Sequence, residues 1–428
     1  RPVQARLARH DHLERDDLGP LARVNVSVKP TALATHYEPL SREVGLAGAK
    51  DRLRPLLRLA RAQGAFVNID MEHYDAKDLT LQLFRDLLSE DEFADLPAGI
   101  VIQAYLRDSR DDLADVIAWS ARRRQPVTVR LVKGAYWDAE SVHARAEGWP
   151  VPVFEDKQAT DANYERCVRL LHDHHGEVRA AFGTHNLRSL AYAVTYARHQ
   201  GIPDTGYEIQ MLHGMAEPMH AAMRRLGLRL RVYAPVGELV PGMAYLVRRL
   251  LENTSNESFV RHRFAEGRDL DELLATPAPG DLPSATRAEV RVATDAEVPA
   301  PYQPEPVAEW RRPSARADMA SALAHVDAEL GAAVPGLIGG DQVTTPATLA
   351  SVDPAHPDTV VAYAASCTVA DVDAAVAVAV DAAAGWRRTP ARDRAAVLFR
   401  AADWLRHRRH AIAALECVEA GKPWDQSD

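Results

Sequence analysis

Between residues 24 and 234 the chain alternates short β-branched runs with longer amphipathic stretches, and this alternation limits its fold more than any other feature. The strand candidates are Val24–Pro30 (VNVSVKP), Phe66–Met71 (FVNIDM), Ile100–Tyr105 (IVIQAY), Val127–Lys133 (VTVRLVK), Ala180–His185, Tyr207–His213 and Arg229–Ala234. Helical periodicity fills the intervals, as in Lys50–Gln63, Asp75–Leu88 and Asp111–Arg123. Parallel neighbours need a crossover of a dozen or so residues, which such helices supply, so the repetition predicts an α/β fold with a parallel sheet. Seven strands suit a (β/α)8 barrel lacking its first strand, with a doubly wound open sheet as the rival.

The strand faces favour the barrel. In VNVSVK, Val24, Val26 and Val28 share one face while Asn25, Ser27 and Lys29 share the other; in FVNIDM, Asn68 and Asp70 oppose Val67, Ile69 and Met71. Successive side chains point to opposite sides of a strand. A polar face that ends in a charge at the strand's C-terminus would therefore point into a barrel mouth, where such barrels do chemistry.

Residues 277–313 are rich in proline and lack apolar periodicity, so they read as an extended linker between residues 1–276 and residues 314–428. The last part opens with a hairpin-like stretch, Leu337–Val343, then a strand candidate, Thr359–Ala364, and two alanine-rich helices, Val369–Ala384 and Arg392–Ala420. It has few strands for a complete α/β domain. The chain starts at Arg1 in a charged run and stops at GKPWDQSD without a capping signal, which suggests a fragment cut at both ends and no signal peptide.

Several function classes are disfavoured. A net charge of −9 argues against a general electrostatic grip on nucleic acid. The three cysteines, Cys167, Cys367 and Cys417, are far apart, form no CxxC pair and fit a reducing, cytoplasmic compartment. No apolar run reaches the roughly 18 residues of a membrane span. Glycine-rich nucleotide loops, HExxH and GxSxG are all absent.

Charged and polar residues cluster instead at the predicted strand ends: Lys29, Asp70, Glu72, Arg130 and Lys133, with Gln103, His185 and His213. A charge inside a barrel is costly unless paired or bound to a ligand. The cluster reads either as a stabilising ion-pair network or as a ligand site, and its excess of cations points to an anion. In the helix Gly242–Asn253, Arg248 and Arg249 lie opposite an apolar face. They form a solvated face with an Arg248–Glu252 pair, or they clamp a carboxylate through guanidinium forks. RLVKGAYW, residues 130–137, runs from a strand into a Gly-Ala turn that would let backbone approach a phosphate or an electron-poor ring.

SVKPTAL, VNIDMEHYD, VIQAYLRDS, VRLVKGAYWDAE, FGTHN, MLHGMAEPM, RVYAPVGE and YLVRRLLENTSNESFV together make residues 24–262 closely resemble the proline dehydrogenase domain of the bifunctional proline utilization A family. GWRRTPARDRAAVLFRAADWLRHRR and EAGKPW make residues 337–425 resemble the start of an aldehyde dehydrogenase domain, in the order that family uses. The resemblance implies a (β/α)8 barrel holding FAD. The implied reaction passes a hydride from the L-proline ring carbon beside nitrogen to flavin N5, giving Δ1-pyrroline-5-carboxylate. It further implies a membrane quinone as electron acceptor, peripheral association with the inner face of the plasma membrane, a homo-oligomer for the whole protein, and NAD only in the missing part of the second domain.

Matched residue by residue, the resemblance makes Asp70 and Arg130 catalytic. Lys29, Arg248 and Arg249 become the clamp on the proline carboxylate, and Tyr136 and Tyr233 line the same pocket. Gln103, Arg130, Lys133, Gly134, Ala135, Thr184, His185 and Glu252 fall on the FAD side, Glu252 bracing the last helix. No metal is implied. Two departures from the family pattern are a first barrel strand that is absent, leaving two open strand edges, and a second domain that stops before its NAD-binding units and nucleophilic cysteine. No aldehyde oxidation is expected of this chain. Two other readings stay open on the residues alone: a lyase using Lys29 or Lys133 as a Schiff-base amine, and a barrel that binds an anion or partner without turnover.

Overall fold

The seven predicted strands all form, and each ends one or two residues before the sequence pattern does. The computed structural model describes residues 11–237 and 304–428, with isolated positions between 240 and 277. The barrel strands are β3 (Asn25–Val28), β4 (Phe66–Ile69), β5 (Ala98–Gln103), β6 (Val127–Val132), β7 (Val178–Gly183), β8 (Tyr207–Leu212) and β9 (Leu230–Tyr233), after a small hairpin of β1 (Arg15–Asp16) and β2 (Gly19–Pro20). Final ladder bonds at Asp70, Tyr105 and His213, each N–H donating to the neighbouring strand, mark where the chain peels away. Lys29, Asp70, Lys133, Thr184 and His185 therefore stand on the loops just beyond the strands, a correction to the longer strands expected.

All seven strands are parallel and neighbour one another in chain order, from β3 to β9. A doubly wound sheet reverses its strand order at a switch point; this one does not, so it is an incomplete (β/α) barrel. The pleat sorts its residues. On β6, Val127, Val129 and Leu131 are fully buried against the helices, while Thr128 and Arg130 take the other face. Leu53, Leu79, Leu83 and Leu113 supply the helical side of that core. The first long helix begins at Arg42 rather than Lys50 and runs to Gln63, where Gly64 at φ 61° caps it.

The hairpin β1–β2 was not expected. It is tied to the N-terminal ends of β7 and β9. Asp16 accepts from Arg179 Nε at 2.8 Å and Nη2 at 3.3 Å, both side chains nearly solvent-free, and Arg229 Nη2 donates to the Arg15 carbonyl at 2.7 Å.

Chain contacts divide the molecule into Arg1–Tyr302 and Gln303–Asp428. Of the expected linker, residues 278–303 lie outside the described residues, whereas Trp310 is buried with Met319, Ala413 and Ala414. The second unit contains an unexpected helix, Pro313–Glu329, and the expected hairpin, Gly336–Ile338 with Asp341–Val343. The single helix expected over Arg392–Ala420 is two, Ala391–His407 and Arg409–Ala420, broken at Arg408 (φ −112°, ψ 12°). The break lets the second helix bury Ala413 and Ala414, so packing overrides a continuous local propensity.

One buried histidine gives the barrel a pH dependence. His172 is 3% exposed, packs on Phe182, Tyr196 and Tyr207, and bonds through Nε2 to the Ala193 carbonyl at 3.1 Å. Burial pushes its pKa down to about 4, outweighing the opposing hydrogen bond to Ala193. A histidine depressed in the folded state contributes stability above its unfolded pKa and loses it as pH falls through the folded value. Stability should therefore fall by roughly 3 kcal/mol between about pH 6.5 and pH 4 from this group. Urea titrations at stepped pH would show it; His172→Gln should flatten that limb, and an unchanged limb would remove His172 as its source.

Candidate active site

Three strand ends converge on one buried ion pair. Arg130, on β6, donates from Nη1 to Asp70 Oδ1 at 2.7 Å and from Nη2 to Ser27 Oγ at 3.0 Å. Asp70 and Arg130 are 9% and 8% exposed. Asn68 Nδ2 adds a second donor to Asp70 Oδ1 at 3.1 Å, and the Tyr233 hydroxyl lies 3.4 Å from Oδ2. The Arg130 guanidinium also sits over the Tyr233 ring, 5.6 Å from its centre, where the face of a phenol attracts a cation. Its Nε is buried and has no partner among the described residues.

A second group stands beside it. Lys29 Nζ lies 3.6 Å from Glu72 Oε1 and 3.4 Å from the Tyr136 hydroxyl, and is partly open to solvent. Glu72 is held by the Thr31 hydroxyl, which donates to Oε2 at 2.7 Å. Gln103 Nε2 donates to the Glu72 carbonyl at 3.1 Å, while its Oε1 is buried with no partner among the described residues. An amide oxygen in that state is an acceptor waiting for a donor.

Beyond β6 the chain passes through Gly134 at φ 140°, a conformation L side chains avoid; a Cβ there would run into the Tyr105 ring. Ala135 follows, exposed. Lys133 pairs closely with Asp161, which also accepts from Lys157 at 2.9 Å. Burial pushes the Lys133 pKa down to about 8 against the pull of Asp161. Burial would raise the Asp161 carboxyl, but Lys133 and then Lys157 more than compensate, so it is held below its usual range. Lys133 is thus held in an ion pair by Asp161 while burial works against its charge. Thr184 Oγ1 accepts from Asn186 N–H at 3.1 Å, and His185 Nε2 accepts from Leu212 N–H at 3.1 Å, which places the ring proton of a neutral imidazole on Nδ1.

The structure thus brings Asp70, Arg130 and Tyr233 into direct contact and joins Lys29 to Tyr136. It sets Gln103, Lys133, Gly134, Ala135, Thr184 and His185 on the same end of the barrel. Arg248, Arg249 and Glu252 lie outside the described residues. Asp161 escaped sequence analysis; its one signal was the i,i+4 spacing from Lys157. Among the described residues no cluster of His, Cys, Asp or Glu could hold a metal, and no helix is long and apolar enough to cross a membrane.

Comparison with known proteins adds two family matches: proline dehydrogenase over residues 3–262, and the aldehyde dehydrogenase family over residues 342–428. Bifunctional protein PutA of Salmonella typhimurium is 34% identical over 424 residues, 94% of this chain and 31% of that protein. Proline dehydrogenase 1 of Bacillus subtilis is 31% identical over 223 residues, 52% of this chain and 64% of its own. The crystal structure of proline utilization A from Bdellovibrio bacteriovorus, inactivated by N-propargylglycine, superimposes with a TM-score of 0.90 at 40% identity, covering 100% of this chain and 44% of that one. The chain spans less than half the length of these bifunctional relatives.

Proposed function

We infer the chemistry from one premise: the chain belongs to the proline dehydrogenase family, with the start of an aldehyde dehydrogenase domain after it. Its reaction is then the oxidation of L-proline to Δ1-pyrroline-5-carboxylate, the first step from proline towards glutamate. The observation that carries this reading is the buried Asp70–Arg130 pair under Tyr233, at the strand ends where a (β/α) barrel does its chemistry.

The residues present fit a flavin. Gln103 Oε1 is a buried acceptor without a donor among the described residues, on the same end of the barrel as Arg130 and Lys133. Gln103, Lys133, Gly134, Ala135, Thr184, His185 and Glu252 would hold FAD. When bound, FAD supplies the acceptor for the hydride that leaves the ring carbon beside nitrogen. Arg130 contributes a fixed positive charge in a site shielded from water, which favours build-up of negative charge next to it. Asp70 holds that guanidinium in place and balances its charge. Lys29, Arg248 and Arg249 bind the proline carboxylate, and Tyr136 and Tyr233 pack against the ring. Arg249→Met should raise the proline concentration needed for half-maximal reduction by roughly 10- to 100-fold, the loss of one charged hydrogen bond, with FAD affinity little changed. Equal losses of both ligands would count against the clamp.

In the same reading the electrons go on to a membrane quinone from a cytoplasmic, peripherally attached homo-oligomer. An anaerobic visible spectrum of the chain with FAD, before and after L-proline, tests the proposal. Protein-bound flavin that bleaches is the expected result; bound flavin that proline leaves oxidised would overturn it.

A further inference from the structure

Asn68 and Ser27 touch the ion pair without belonging to it. They stand side by side in the register of β3 and β4. Asn68 is 1% exposed, and its amide donates to Asp70 Oδ1, the same oxygen that takes Arg130 Nη1. Ser27 Oγ takes Arg130 Nη2. The guanidinium is thereby fixed at two nitrogens by two neighbouring strands, and its third nitrogen, Nε, is left buried without a partner among the described residues. The neighbouring strand makes room for the amide. Gly99 pairs with Asn68 in register, and a Cβ there would lie 2.5 Å from Asn68 Oδ1 and 2.7 Å from the Phe66 ring.

We propose that Asn68 and Ser27 are positioning residues, with Gly99 as the space that admits Asn68: together they set the orientation of the Arg130 guanidinium through Asp70 and directly. A guanidinium pivots about its carboxylate partner unless a second acceptor fixes its plane. A charge that stabilises a developing negative charge is useful only if it is held before the reaction begins. Neither residue belongs to the proposed clamp on the proline carboxylate, so neither should alter the half-saturating proline concentration.

The inference rests on the proline dehydrogenase reading for its kinetic arm and is independent of it in its stability arm. In the kinetic arm, Asn68→Leu and Ser27→Ala should each slow flavin reduction per bound flavin about tenfold or more at saturating L-proline. The half-saturating proline concentration and the FAD affinity, read from flavin fluorescence, should stay within about threefold. Ser27→Thr, which keeps the hydroxyl, should restore most of the rate. In the stability arm, the melting-temperature losses of Asn68→Leu and Arg130→Met should be non-additive in the flavin-free chain, because both residues donate to the same oxygen of Asp70. If Asn68→Leu folds poorly, the Ser27 pair and a Ser27→Ala/Arg130→Met cycle carry the test. Unchanged reduction rates per flavin, or an additive cycle, would overturn the proposal. If the parent chain binds flavin but does not oxidise proline, the reaction assignment fails while the cycle still decides the positioning role.

Discussion

Replacing Arg130 with Met is expected to slow proline-dependent bleaching of bound flavin by about 100- to 1,000-fold, the usual cost of removing one preorganised charged or hydrogen-bonding group from a transition state. The change removes three contacts at once: the ion pair to Asp70, the bond to Ser27 and the stacking on Tyr233. Asp70 keeps Asn68 as a donor and Tyr233 close by, so its carboxylate is not stranded. The site should therefore still assemble and take up flavin. The measurement is single-turnover reduction normalised to bound flavin. A normal rate per flavin with low flavin content would make Arg130 a structural residue only. A slow rate at full flavin content would keep it in the mechanism.

The second large effect lies at the other end of the barrel. Asp16→Ala should cost about 3–5 kcal/mol of folding stability, because it leaves the Arg179 guanidinium buried without its carboxylate. Asp16 and Arg179 side chains are 2% and 7% exposed, so water cannot readily replace the lost partner. Asp17→Ala is the control: its contact with His175 is half-open to solvent and should be worth under about 1 kcal/mol. Urea denaturation of both variants separates the two. A loss below about 1 kcal/mol for Asp16→Ala would mean that Arg179 finds other partners, the Pro126 carbonyl at 3.5 Å being the nearest to hand.

Much of this site was legible because barrel strands alternate strictly. In VNVSVK and FVNIDM the polar residues fall at every second position, which put Ser27, Lys29, Asn68 and Asp70 on one face before any contact was known. Arg130 showed itself the same way, between Val129 and Leu131. What periodicity could not supply was pairing between distant segments. Ser27 meets Arg130 across 103 residues, and Lys133 finds Asp161 across 28, on the helix Lys157–Asp173. The hairpin at residues 15–20 was invisible for another reason. Strands of two residues carry no period, and their stability comes from arginines more than 160 positions away. The expected strand ends run long because they include the charged and polar residues that close each run, such as Lys29, Asp70, Lys133 and His213, and these stand just beyond the last paired residue.

Those distances along the chain matter in time as well as in energy. The Asp16–Arg179 pair and the Arg229–Arg15 bond close loops of 163 and 214 residues, far longer than any neighbouring-strand contact. Such contacts are entropically the most expensive to make, and in a chain assembling from local βα units they form last. Interactions absent from the folding transition state act almost wholly on the rate of escape from the native state. The small hairpin is thus a latch on the assembled barrel: loosening it should leave refolding nearly as fast and shorten the lifetime of the folded form.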